Sequence, residues 1–372
     1  MEFAINKSSL QKELQFLQGV VERRNTIPVL ANILVESAGR DRIKLWATDL
    51  DTTLRCETEA EVRTEGRMLI GARKLFDVVR SLPDATINFR REANDWAEVR
   101  CAATRFRIAG QRAEDFPETP TAREAEPIRI PSEVLRTMIE RTIFAITLEE
   151  SRYTLSGAKF ILSAETCRMV TTDGHRLAFI ERRTEGGVRT ARGVDALIPR
   201  KTLSELERLA AAHEGEVALW ADQNHVFFEV GPRFLIGRKL VGQFPNYEMV
   251  MPKSNPFVAR LSCDLFAGAI RRVALMADDR SHAIKLAFAP SSLVISAQTA
   301  EEGSSEETLA IDYAGEPLEI GFNAQYLLDF LQVLGEGEIA FEFKDPSSQA
   351  QLRPTDTQEY DYRYVVMPMR LT

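Results

Sequence analysis

Apolar positions along the chain alternate between two periods. Over 132–146 they fall at Val134, Leu135, Met138, Ile139, Ile143 and Ile146, with the half-apolar Thr142 between them. That spacing is the buried stripe of an amphipathic helix. Segments such as "NILVESAGRDRIKLWATD", "ATINFRREANDWAEVRC", "TRFRIAGQ" and "HVFFEVGPRFLIGRKL" read instead as short strands turning at Gly, Asn or Asp. The two patterns predict helices over 8–24, 73–83, 132–146, 200–210, 262–276 and 323–334, with hairpins between them.

The arrangement repeats. "FAINKSSLQKELQFLQGVVERR", "IRIPSEVLRTMIERTIFAI" and "VARLSCDLFAGAIRRVALM" each place a short strand before an amphipathic helix and align at Ile5, Ile130 and Leu261. A second strand and helix recur in "LIGARKLFDVVRSLP", "LIPRKTLSELERLA" and "IGFNAQYLLDFLQVLG", aligned at Arg73, Arg200 and Asn323. Prolines at 117, 245 and 368 close the units. Three landmarks keeping one spacing imply three like α+β domains in tandem, each with two helices packed on antiparallel sheets. The expected boundaries are 1–121, 128–252 and 257–372, with linkers near Thr119–Pro127 and Pro252–Pro256.

The repeat bears on the one stretch that resembles chemistry, "TTDGHRLAF" from Thr171 to Phe179. Thr172-Asp173 stands where Thr48-Asp49 of "WATDLDTTL" stands in the first domain, and the third copy, "SAQTAEEG", has no such pair. A shared element at the end of a strand reads as a turn, with Asp accepting backbone N–H groups and Gly174 free to take φ > 0. A turn or binding-surface role for His175 is therefore favoured over a catalytic or metal role. Dinucleotide, P-loop, zincin and nucleophile-elbow motifs are absent, and Asp49-x-Asp51, two carboxylates without further ligands, is a weak metal signal that reads more readily as solvated turn acids. No enzyme, cofactor or metal is expected.

Composition narrows the class. A hydrophobic share of 44% with 27% charged residues is that of a soluble globular chain. The opening MEFAINKSSL lacks a signal-peptide pattern, and no apolar run approaches a membrane span. Cys56, Cys101, Cys167 and Cys263 are scattered, so a cytoplasmic protein with free thiols is expected. The formal net charge is −8 at pH 7, which taken globally argues against a general nucleic-acid binder. Yet the six helix windows hold 13 Lys and Arg against 9 Asp and Glu, a mild positive excess on those elements. If the helices share one side, Arg23, Arg24, Arg73, Lys74, Arg80, Arg200, Lys201, Arg271 and Arg272 supply sequence-independent phosphate contacts.

"TIPVLANILV", "ATDLD", "ARKLFDVVRSLP", "EDFP", "SRYTLSG", "TDGHRLA", "IPRK", "KLVGQFPNY", "EIGFN" and "YVVMPMRL" stand in this order along the chain. Over its whole length the sequence resembles the bacterial DNA polymerase III beta subunit family, the sliding clamps. The resemblance implies a DNA clamp fold in which two three-domain chains join head to tail into a closed ring around double-stranded DNA. It further implies partners in a clamp loader complex, the replicative polymerase alpha subunit and other proteins with a clamp-binding motif, and no membrane. DNA contacts carry over to Arg24, Arg73 and Tyr153, and Arg200 and Lys201 join them on the charge reading. The subunit contact carries over to Phe106 and Ile108 against Ala274 and Leu275, although Phe106 and Ile108 are equally readable as core. A partner-peptide pocket carries over to Leu155, Thr172, Gly174, His175, Arg176, Leu177, Pro245, Val250, Val365, Val366, Met367, Pro368, Met369 and Arg370. Glu248-Met249 departs from the family, which often has basic residues there, and Glu149 and Thr154 replace a more usual Gln and Tyr. The alternative is a repeat scaffold that binds only proteins.

Overall fold

The computed structural model describes residues 1–21, 27–121, 126–184, 193–299, 303–356 and 359–370. Among the described residues, six α-helices form where the apolar stripes stand: α1 (Lys7–Val20), α2 (Ala72–Ser81), α3 (Ser132–Glu140), α4 (Arg200–Ala211), α5 (Cys263–Val273) and α6 (Ala324–Leu334). Side chains cap three of their N-termini. Asn6 Oδ1 accepts from Ser8 N at 2.9 Å, Ser262 Oγ from Leu265 N at 3.4 Å and Asn323 Oδ1 from Tyr326 N at 3.2 Å. Each satisfies a first-turn N–H that has no partner within its helix.

Three helices are markedly shorter than their expected windows; α5 stops at Val273, with Ala274–Met276 as a 3₁₀ turn. The end of the 8–24 window, including Arg23 and Arg24, lies outside the described residues, and α1 closes at Val20. The 132–146 stripe breaks after Glu140, and Ile143–Ala145 form a 3₁₀ turn. Thr142 is the cause. Its hydroxyl donates back to Met138 O at 2.7 Å while its N–H reaches only Ile139 O, tightening the helix to an i−3 bond. The apolar period continues because Ala145 and Ile146 remain buried.

The chain divides into two compact units, Met1–Arg136 with Lys201–Lys239, and Thr137–Arg200 with Leu240–Thr372. The first unit contains a nine-stranded sheet in which Thr52–Glu59 pairs antiparallel with Arg233–Arg238, so strands from the first and second thirds of the sequence share one ladder. Helix α1 lays Leu10, Leu14, Leu17 and Val20 into the core of this unit. Its buried Glu13 accepts two bonds of 2.7 Å from Arg233, whose guanidinium also lies 4.0 Å from the ring of Phe16. A buried fork of this kind is tolerated because both charges are satisfied.

The second unit uses the same device. Its eight-stranded sheet joins Arg176–Arg183 to Asp361–Val366, from Arg176 opposite Val366 to Glu181 opposite Asp361. Each unit also holds a smaller sheet. The five-stranded sheet of the first ends in Thr104–Ile108, and the four-stranded sheet of the second ends in Gly303–Ala310.

Candidate functional site

The segment Thr171–Phe179 folds as a hairpin turn between the strands Thr166–Thr172 and Arg176–Arg183. Thr172 Oγ1 accepts from Gly174 N at 3.0 Å and donates to Arg176 O at 2.6 Å. Asp173 Oδ1 accepts from the N–H groups of His175 and Arg176 at 2.9 and 3.1 Å. Gly174 sits at φ +92°. The first-domain copy repeats these bonds: Thr48 Oγ1 accepts from Leu50 N at 3.1 Å, and Asp49 Oδ1 from Asp51 N and Thr52 N at 3.0 and 2.6 Å. The two stretches are one turn used twice. Asp49 is further held by Lys201 and Asp173 by Arg176. Among the described residues, no group of three or more His, Cys, Asp or Glu is placed to hold a metal ion.

Arg176, the next residue of the turn, organises the wall behind it. Its guanidinium donates to Asp173 at 2.9 Å, to Asp329 on α6 at 2.6 Å and to Phe144 O at 3.0 Å, and lies 4.5 Å from the ring of Tyr326. Burial alone would lower its pKa, but Tyr364, Asp329 and Asp173 outweigh burial and hold it above the usual arginine value. His175 stacks on Tyr326 at 6.3 Å between ring centroids. Arg152 Nη1 reaches Asp173 O at 2.6 Å, closing the turn from the other side.

The turn forms one wall of an open cleft. Thr172, Gly174, His175, Arg176 and Leu177 come from the hairpin, and Leu155 from the 3₁₀ segment Glu150–Leu155. Pro245 and Val250 come from the loop after "QFP", and Val365 and Met367 from the C-terminal strand and the residue just past it. Met367 N donates to His175 O at 3.0 Å, which ties that end to the turn. The sequence reading missed Tyr247, which also lines the cleft and whose hydroxyl accepts from Arg168 Nη1 at 2.7 Å. Its signal was present as the aromatic residue of "QFPNY". The floor is apolar, with Val170, Leu177, Phe179, Tyr247 and Val365 packed against Phe244, Val250 and Met251.

Four residues of the expected pocket are not among those lining it. Val366 is fully buried in its strand opposite Arg176 and Ala350, because alternation along the strand turns it away from Val365. Pro368, Met369 and Arg370 follow a chain that leaves the cleft, and Met369 N donates to Gly321 O at 2.8 Å.

The expected DNA-contact residues differ in how far they are already engaged. Arg73 is exposed on the first turn of α2, and Tyr153 is 53% exposed. Arg24 lies outside the described residues. Arg200 donates to the carbonyls of Ile143 and Ile146 at 3.2 and 3.3 Å, and burial together with the Arg176 cation lowers its pKa. Lys201 pairs with the buried Asp49 and donates to Val20 O at 3.0 Å, the end of α1. These two cations brace the fold where the sequence reading expected open positive charge. At the expected subunit contact, Phe106 is half-buried and Ile108 buried, whereas Leu275 is 74% exposed.

Family models for the DNA polymerase III beta subunit match the chain in three parts: the N-terminal domain at 1–120, the central domain at 129–246 and the C-terminal domain at 248–370. The chain belongs to the DNA polymerase III beta subunit family. A beta sliding clamp from Caulobacter vibrioides is 36% identical over 377 residues, and one from Pseudomonas putida is 36% identical over 374, each alignment covering both chains fully. A solved sliding clamp from Pseudomonas aeruginosa, bound to griselimycin, has a TM-score of 0.94 at 34% identity over the full length of both chains. The chain has the three-domain clamp fold, and it is a processivity clamp of DNA replication, with DNA and polymerase among its partners, rather than an enzyme. Among the described residues no helix is long and apolar enough to cross a membrane. All four cysteines are buried and free, and burial pushes the Cys167 thiol up to about 12.

Proposed function

We propose that two copies of this chain join head to tail into a ring around duplex DNA, and that the cleft holds the tails of the proteins the ring tethers. These are the replicative polymerase alpha subunit and others sharing a short apolar docking motif, with a clamp loader opening the ring. The observation that carries this reading is the cleft itself, with an apolar floor and a polar rim set by one braced turn. That is the chemistry of an extended-peptide site.

Two features support the ring. The outer strand Thr104–Ile108 carries exposed Arg105 and Arg107, and the outer strand Gly303–Ala310 carries Glu306 and Glu307. Edge strands favour pairing between copies, with Phe106, Ile108, Ala274 and Leu275 as its apolar part, while Arg105, Arg107 and Glu307 hold partners within the chain in Glu98, Glu92 and Arg272. Such a contact between unlike edges is heterologous, and the family implies that it closes at two subunits. The domains within each copy are 1–121, 128–252 and 257–372. DNA passes Arg24, Arg73 and Tyr153, while Arg200 and Lys201 act through the fold. A replication clamp of this kind works in the bacterial cytoplasm.

Deletion of Met367–Thr372 tests the site apart from the ring. Fluorescence polarisation with a labelled decapeptide carrying two leucines and a phenylalanine is expected to show binding to the full chain and none to the deletion, with both sedimenting as dimers. A monomeric deletion variant, or unchanged binding, would show the site to be misplaced.

A further inference from the structure

The charges around the cleft do not balance. Arg176 is held by Asp173 and Asp329, and Arg152 by Glu149 at 3.1 Å. Arg168 is held by Glu181 at 2.6 Å and by the hydroxyl of Tyr247. Glu248 follows Tyr247 in the 3₁₀ turn Tyr247–Met249, and its side chain is 73% exposed. The described cation near it is Arg168, 3.9 Å away and already committed to Glu181. The rim beside Tyr247 therefore carries a carboxylate whose charge is poorly compensated. Next to it, Met249 leaves 79% of its surface in solvent.

We propose that this rim selects docking peptides carrying a lysine or arginine beside their apolar anchors. The inference rests on the cleft being a peptide site. The match is chemical: the methylene stem of Lys or Arg lies along the thioether of Met249, and its charged end meets Glu248. An acidic residue at that place meets Glu248 as a like charge and is disfavoured. The preference is modest, because the pair is exposed and screened by salt.

The test uses fluorescein-labelled decapeptides that share two leucines and a phenylalanine and differ in one flanking residue, Lys, Gln or Glu, placed on either side. Fluorescence polarisation against the full-length chain at low salt is expected to rank them Lys, Gln, Glu. About a fivefold span separates the ends, the scale of one exposed ion pair gained or opposed. Glu248→Lys should invert the order, Glu248→Gln should flatten it, and high salt should shrink it on the unsubstituted protein. Equal binding of all three peptides, lost on deletion of Met367–Thr372, overturns the charge selection and leaves the peptide site standing. Failure of every peptide to bind, or binding that survives the deletion, overturns the site reading and this inference with it.

Discussion

Arg176 donates to Asp329 at 2.6 Å, and these residues stand 153 apart in the sequence. The bond ties the turn that walls the cleft to helix α6, and Tyr326 of that helix stacks on both Arg176 and His175. The side chain of Arg176 is only 10% exposed, so removing Asp329 leaves a buried cation short of a partner. Asp329→Ala is expected to cost about 2–4 kcal/mol in chemical denaturation, the scale for breaking a mostly buried pair. It should also weaken binding of the labelled docking peptides, because the wall loses its brace. Unchanged stability together with unchanged binding would mean that Asp173 and Phe144 O hold Arg176 without help.

The paired turns make opposite substitutions informative. Gly174 takes φ +92° where the first-domain copy has Leu50 at φ +81°. A Cβ on Gly174 would stand 2.8 Å from Arg152 Nη1. Left-handed backbone costs a residue with a side chain about 1–2 kcal/mol. Gly174→Ala should therefore destabilise by at least that amount. Leu50→Gly should stabilise by about 0.5 kcal/mol, since relief of strain exceeds the added freedom of the unfolded chain. A loss of stability for Leu50→Gly would show that the half-exposed Leu50 side chain packs usefully.

Glu205 on α4 gives a pH signature. Burial raises its pKa above the usual carboxyl value of 4.5, against the lowering effect of Arg208 and Lys201. The folded protein thus holds this proton more tightly than the unfolded chain. Its favourable contribution is full below the unfolded value and is lost as pH rises through the folded value. Glu205→Gln, which cannot ionise, should gain melting temperature relative to the parent protein as pH rises from the usual carboxyl value of 4.5. A difference that stays flat above that value would place the Glu205 titration where it is in the unfolded chain.

Much of this was legible in the sequence, for reasons that differ by element. The helices and hairpins follow local periodicity, and the Thr-Asp turn was exposed as structural by its recurrence at Thr48-Asp49 and Thr172-Asp173. The wall residues Thr172 to Leu177 came with a contiguous motif, and Tyr247 stood in plain view beside Pro245. What the sequence could not provide was long-range partnership. Nothing near Lys201 announces Asp49, and nothing near Arg200 announces the carbonyls of Ile143 and Ile146, so both read as open positive charge. The family resemblance puts Val366 and Met369 with Val365, whereas strand alternation and the bond to Gly321 separate them. The merging of sheets between Thr52–Glu59 and Arg233–Arg238 was likewise invisible, because edge pairing leaves no local mark.

The most direct measurement is retention on DNA of different topology. The protein is loaded onto nicked circular DNA by its clamp loader, and the circle is then cut once. A closed ring that encircles the duplex without gripping it stays on the intact circle through high salt and is lost from the linear product by sliding off its ends. Release from the intact circle by salt, or retention on the linear product, would contradict encirclement, and absence from DNA altogether would leave a scaffold that binds proteins alone.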